Sequence, residues 1–163
     1  MRPSEPNKLK IYLPTDACIF CQIARGDVFS HGIYTSERVI AFLDINPIRQ
    51  GHVQIIPREH FDCFDDLPCE IACEIMTVGQ QLARALKRIY DVKRVAFLFA
   101  GGDVAHAHAH LVPMMEHDDI TSRRYILQRE ITYRDMPRIS DDELAQRAIE
   151  IRSAVKQRAR ELD

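Results

Sequence analysis

"HAHAHLVP", residues 106–113, decides how this chain is read. It gathers three of the seven histidines, separates them with alanines and ends in apolar residues. Alternation is the period of a β-strand, in which successive side chains point to opposite faces. A strand through the run puts His106, His108 and His110 on one face, with neighbours roughly 6.5–7 Å apart. Ala107 and Ala109 take the other face, where small side chains let a helix pack closely. One buried histidine is ordinarily a hydrogen-bonded core residue. Three in alternation carry a desolvation cost with no return unless they do chemistry. Two chemistries suit them: a catalytic metal site, since imidazoles ligate zinc, and nucleophilic or acid–base catalysis near neutral pH. The run alone leaves both open.

Upstream of it, "RVAFLFAGG" (94–102) reads as a buried strand, and the triad run as the next one. "DDLPCEIACEIMTVGQQLARALKRIYDV" is the clearest helix: Leu67, Ile71, Ile75, Val78, Leu82, Leu86 and Ile89 recur at spacings of three and four. Acidic residues lead it and Lys87 and Arg88 end it, as the helix dipole prefers. Gly79 is a mid-helix blemish. Nearer the N-terminus, "GIYTSERVIAFLDINP" predicts strands over 33–35 and 39–43 with a turn at "SER", and "HVQIIP" a third strand ending at Pro57. "CIFCQIARGD" predicts one or two helical turns stopped by Gly26. "SDDE" is a capping box, Ser140 to Glu143, opening a last helix striped by Leu144, Ala148, Ile151, Val155 and Leu162. Strands, long helix, strands, helix: the order predicts an α+β fold with a mainly antiparallel five-stranded sheet and a C-terminal helical extension.

Bulk properties narrow the function classes. A chain of 163 residues with 46% hydrophobic and 28% charged residues builds one core-bearing domain. A formal net charge of −2 gives no electrostatic case for nucleic-acid binding. No apolar run is long enough to span a membrane, and the first residues lack the apolar stretch of a secretory signal. Five cysteines, an odd number, then read as reduced thiols or metal ligands in a cytoplasmic protein. "CIFC" alone suits a redox or a metal motif, with no thioredoxin-like βαβ pattern around it. Cys63, Cys69 and Cys73 show no such pattern, and Cys69 and Cys73, four apart on the long helix, read as ordinary buried or half-buried thiols.

"HAHAHLV" matches the H-φ-H-φ-H-φ-φ pattern of the histidine triad (HIT) superfamily. "CIFCQIARGD", "RVIAFLDINP" and "GHVQIIPREH" resemble the same family's N-terminal half, in order and spacing. The resemblance covers roughly residues 18 to 115 and implies a HIT domain over 16–118, after an N-terminal arm (1–15) and before an extension (119–163) packed on the domain or on a dimer partner. It implies a nucleotide hydrolase or transferase acting on a nucleoside phosphoramidate or dinucleoside polyphosphate. By position His108 is the nucleophile, His110 contacts phosphate oxygens and His106 supports the site. The matching nucleoside pocket is Ile19, Phe20, Ile23, Phe42, Asp44 and Ile45, with Gly101 and Asp103 at the phosphate. Flat apolar walls suit a base and a carboxylate suits ribose hydroxyls. A purine nucleotide of the adenosine monophosphate type is the implied ligand, and a homodimer the implied assembly.

Some relatives in the family bind zinc through positions matching Cys18, Cys21, His60 and His106. Two thiolates and two imidazoles close a tetrahedral, structural zinc site. A straight strand sets His106 beside His108, so this role requires a bend at the strand's start. The chain departs from the family at "GGD" (101–103), where many members carry Gly-Gln-Ser/Thr: Gly102 offers no side chain and Asp103 replaces a hydroxyl. Arg123 and Arg124 read as solvated surface charge. The rival readings are a zinc-dependent hydrolase using all three triad histidines as ligands, and a nucleotide-binding module with little turnover.

Overall fold

The computed structural model describes residues 17–99, 104–115 and 138–161. The apolar periodicities of the sequence become a sheet and the helices that cover it. The strands are β1 (Gly32–Thr35), β2 (Val39–Leu43), β3 (Val53–Pro57), β4 (Val95–Phe99) and β5 (Ala109–Pro113). They form one antiparallel sheet in the order β1-β2-β3-β5-β4. The helices are α1 (Ile19–Arg25), α2 (Cys69–Ile89) and α3 (Asp141–Glu161). The fold is α+β, as the order of elements predicts.

One sheet face makes the main core. Val39, Ala41 and Leu43 of β2, Val53 and Ile55 of β3 and Ala109 and Leu111 of β5 meet Ile71, Ile75, Val78, Leu82 and Leu86 of α2. Leu144, Ala148 and Ile151 of α3 complete it, so the C-terminal helix covers its own chain. Each large apolar side chain removed from water there contributes about 1.5–3 kcal/mol. On the opposite face Ile40, Phe42 and Ile56 pack against Phe20 of α1. That second cover is why "VIAFL" is apolar throughout rather than alternating: all five residues of β2 are buried. Gly26 ends α1 with φ +86, its amide reaching back to the carbonyls of Gln22 and Ile23. Arg58, just past β3, binds the Ala24 carbonyl at 2.7 Å, the Ser36 carbonyl at 2.7 Å and the Thr35 hydroxyl at 2.6 Å, locking α1 to the β1–β2 turn.

Three local expectations change. The long helix starts at Cys69, behind Pro68; Asp65 and Asp66 belong to a separate 3₁₀ turn, Phe64–Asp66. Proline lacks the amide that an earlier start requires and suits a helix entry. Gly79 is no blemish: a Cβ there would stand 2.5 Å from Cε2 of Phe97, so the ring of β4 occupies the space a side chain would fill. Cys69 and Cys73 are exposed, not buried or half-buried, and Cys63 is exposed as well. Cys69 and Cys73 lie on the side of α2 turned away from the sheet, and Cys63 lies in the loop ahead of the 3₁₀ turn. Leu162, the arm (1–15), Gly101, Asp103, Arg123 and Arg124 lie outside the described residues.

Candidate active site

The triad run is not one strand. Ladder pairing with β3 begins at Ala109, opposite Ile55, and places His110 opposite Gln54. Ahead of it the backbone bends. The His106 amide donates to the Val104 carbonyl at 2.8 Å, and the Ala107 amide to the Phe61 carbonyl at 2.6 Å, away from the ladder. The expectation that three histidines share one face is therefore corrected: the bend at 105–106 turns His106 aside, as a metal role for it requires. Their imidazoles have three different sets of partners.

His108 is buried, and its Nδ1 lies 2.6 Å from the carbonyl oxygen of His106. A carbonyl only accepts, so Nδ1 carries the proton. In the neutral ring Nε2 is then an unprotonated nitrogen with its lone pair in the ring plane. The Phe20 ring stands edge-on to this imidazole at 5.1 Å and to the His106 imidazole at 5.8 Å. One aromatic side chain thus fixes both rings.

His110 is held by His52, a residue to which the sequence patterns assign no role. His52 Nε2 lies 2.9 Å from His110 Nδ1. Burial, more than any neighbouring charge, lowers the His52 pKa to about 4; Asp44 opposes the shift, and His110 and His108 add to it. The ring is neutral near pH 7, and the Ile48 amide donates to its Nδ1 at 3.3 Å. An amide N–H cannot accept, so this bond places the His52 proton on Nε2, facing His110 Nδ1, while Asp44 Oδ2 stands 3.4 Å from His52 Nδ1. An imidazole whose Nδ1 accepts that proton in a hydrogen bond has Nε2 as its protonated nitrogen, the one able to donate to a phosphate oxygen. Asp44 stands at the end of β2 with both oxygens engaged: Oδ1 accepts from the Asn46 amide at 2.8 Å and Oδ2 from Gln54 Nε2 at 2.6 Å. The signal for His52 and Gln54 is the alternation in "HVQIIP", two polar residues on the face opposite Val53 and Ile55.

Beside this pair of histidines is a four-residue cluster. Ligand atoms of Cys18, Cys21, His60 and His106 all lie within 4.8 Å of one another. His106 Nδ1 is 3.5 Å from Cys18 Sγ and 3.6 Å from Cys21 Sγ, and His60 Nδ1 is 3.2 Å from Cys21 Sγ. The far nitrogens are anchored: His106 Nε2 donates to the Pro57 carbonyl at 3.0 Å, and His60 Nε2 meets Asp62 Oδ1 at 2.8 Å. Outer partners of that kind aim imidazoles at a metal and set their tautomer. Burial, the leading cause, pulls the His106 pKa down to about 4, which keeps its ring neutral and able to coordinate. Two soft thiol ligands and two imidazoles fit a closed tetrahedral zinc site. The triad itself does not converge on one metal, because His106 faces the cysteines while His108 and His110 are bonded elsewhere.

The expected nucleoside residues fall into two groups. Phe20, Ile23 and Phe42 lie together on the α1 face of the sheet, the Phe20 and Phe42 rings 5.8 Å apart. Ile23 and Phe42 also line a cleft of about 330 Å³ between α1 and the β1–β2 hairpin. Ile19 and Ile45 are exposed, at the start of α1 and in the loop after Asp44.

Known proteins resemble this chain in sequence and in fold. The family model of the HIT domain matches residues 25–117, more than half of the chain. An uncharacterized HIT-like protein of Methanocaldococcus jannaschii is 34% identical over 105 residues, 62% of this chain and 81% of the relative. The adenosine 5'-monophosphoramidase HNT1 of Saccharomyces cerevisiae is 37% identical over 98 residues, covering 60% of this chain and 62% of its own. A zinc-bound histidine triad family protein of Mycobacterium smegmatis superposes with a TM-score of 0.66 at 28% identity, over 86% of this chain and 94% of that one. Fold, triad and sequence agree, and the chain belongs to the HIT domain family.

Proposed function

We propose that this protein is a nucleotide hydrolase or nucleotidyltransferase that forms a nucleotidyl–histidine intermediate on His108. The observation that carries the reading is the 2.6 Å bond from His108 Nδ1 to the His106 carbonyl, which leaves Nε2 as the attacking nitrogen. Substrates are nucleoside phosphoramidates or dinucleoside polyphosphates, with a purine nucleoside the preferred one; the yeast phosphoramidase relative supports the first. Nε2 attacks the α-phosphorus, an N–P bond forms, and the bond to the leaving amine or phosphate breaks, the leaving group taking a proton from water. Attack puts positive charge on the ring, and the His106 carbonyl facing Nδ1–H stabilises it. His110 Nε2–H donates to the phosphoryl oxygen that gains charge. Water or another acceptor then attacks phosphorus and gives up a proton to solvent, the N–P bond breaks, and the nucleoside monophosphate or the nucleotidylated acceptor leaves. Two easier displacements replace one difficult one.

Phe20, Ile23 and Phe42 form the base side of the site, with Ile19 and Ile45 closing over it, and Asp44 takes the ribose hydroxyls. Gly101 and Asp103 border the phosphate. Cys18, Cys21, His60 and His106 hold a structural zinc, which ties α1 to the nucleophile's loop. Five thiols, none of them in a disulfide, fit a reducing, cytoplasmic setting. The assembly is a homodimer built on the open edge of the sheet: β4 is half-buried throughout, and Phe64, exposed, lies 4.6 Å from Phe99 at its end. The test is incubation with an adenosine phosphoramidate, acid-free quenching and intact-mass measurement. Turnover with a transient mass gain of one nucleotide supports the reading; tight adenosine monophosphate binding with no product replaces it with a binding module.

A further inference from the structure

Among the described residues, α3 touches none of the groups that the chemistry uses, yet its first turns hold the loop that carries them. The β2–β3 loop (44–52) bears Asp44, Ile45 and His52. Its backbone is wound around His52: the Asp44 amide donates to the His52 carbonyl at 3.0 Å, the His52 amide to the Arg49 carbonyl at 3.0 Å, and the Ile48 amide to His52 Nδ1. The outer side of this loop rests on the helices. Gly51 adopts φ +84, and a Cβ there would stand 2.2 Å from Cε2 of Tyr90, so the Tyr90 ring lies directly on the Gly51 backbone. Gln50 Nε2, one residue earlier, donates to Glu143 Oε1. On the other flank Asp141 Oδ1 is 3.4 Å from Nε2 of buried His31, whose carbonyl accepts the Leu43 amide at 3.1 Å. The N-terminal turn of α3 therefore grips the chain just before the loop and near its end. Tyr90 Oη is buried without a hydrogen-bond partner among the described residues, so its ring, and not its hydroxyl, makes the support.

We infer that Glu143 and Tyr90 are positioning residues for the nucleotide site, fixing Gln50 and Gly51 and through them the His52 imidazole against His110 and the Asp44 carboxylate toward the ribose. The α3 extension is then part of the binding machinery and not only a cover for the core. The substrate side of this inference rests on the proposed nucleotide chemistry.

Four full-length variants test it: Glu143→Ala, Glu143→Gln, Tyr90→Leu and Tyr90→Phe. The measurements are kcat and KM with an adenosine phosphoramidate, the melting temperature, and the imidazole ¹⁵N shifts of His52 and His110 without substrate. Glu143→Ala should raise KM about three- to tenfold, the range of one ordinary hydrogen bond, with a smaller change in kcat. Its His52 and His110 shifts should move. Glu143→Gln, which keeps an acceptor for Gln50, should restore both. Tyr90→Leu should act as Glu143→Ala does, and Tyr90→Phe as the wild type. A lower melting temperature with wild-type KM and imidazole shifts would show a strut only and overturn the inference, as would failure of Glu143→Gln to restore the shifts. A wild type without turnover would sink the proposed chemistry alone, because the imidazole shifts still report on positioning.

Discussion

His108 and His52 show how one neighbouring atom sets what an imidazole does. The His106 carbonyl holds the His108 proton on Nδ1, and the Ile48 amide leaves His52 a donor to His110. Replacing His52 by Gln removes that donor's fixed direction while keeping a polar side chain. The expected result is a fall in kcat/KM of about 10- to 100-fold, roughly 1.4–2.7 kcal/mol of transition-state stabilisation, with the His108 adduct still forming in single turnover. His52 also predicts a pH effect on stability. Its native pKa is lowered to about 4 from an ordinary 6.5, so between these values the unfolded chain binds more protons. The stability it contributes is full above pH 6.5 and is lost as pH falls toward 4, on the order of 3 kcal/mol. Urea unfolding of the wild type should weaken over that window by more than unfolding of His52→Gln does. Parallel losses in the two proteins would contradict the burial of a neutral His52.

Strands and helices differ in how plainly the sequence announces them. β2, β3 and α2 are legible because local period and burial agree: "VIAFL" and the spacing of Ile71, Ile75, Val78 and Leu82 leave little choice. The triad run misleads for the opposite reason. Its alternation continues through His106 and His108, but the hydrogen bonds of Ala107 and His106 go to Phe61 and Val104, partners that no local pattern names. Gly79 is similar, since its reason is the Phe97 ring from a separate strand. Gly79→Ala should therefore destabilise the fold by about 1 kcal/mol, overpacking outweighing the gain in helix propensity. Thermal or urea unfolding decides it, and a more stable Gly79→Ala protein would show that the ring moves freely. Leu82→Ala, in the centre of α2 and buried, should cost about 2–5 kcal/mol.

Across the whole molecule, the candidate metal cluster joins three separated pieces of chain: α1 with its N-cap, the segment after β3, and the triad loop. Three motifs, "CIFC", "PREH" and the triad run, carry its ligands and make it legible through the family resemblance. The grip of α3 on the β2–β3 loop is not legible there, because Gln50 and Glu143, and His31 and Asp141, are paired only by the tertiary fold. A metal bound at the cluster would contribute folding free energy directly. Cys21→Ser should abolish stoichiometric zinc in elemental analysis and lower the melting point by roughly 10 °C or more, since several kcal/mol at about 3 °C each are lost. An unchanged melting point in a zinc-free Cys21→Ser protein would make the cluster a set of packed thiols and imidazoles. Sedimentation of the wild type and of Phe99→Glu tests the β4 edge: the first should run as a dimer and the second as a monomer.

In the proposed mechanism His108 Nε2 takes the nucleotide. The direct measurement is intact mass after rapid mixing with an adenosine phosphoramidate, for the wild type and for His108→Gly. The wild type should gain one adenylyl group, with fragmentation placing it on His108. His108→Gly should gain none and turn over more slowly by about a thousandfold or more. An unmodified wild type that turns over, or a His108→Gly protein with full activity, would rule out the His108 intermediate.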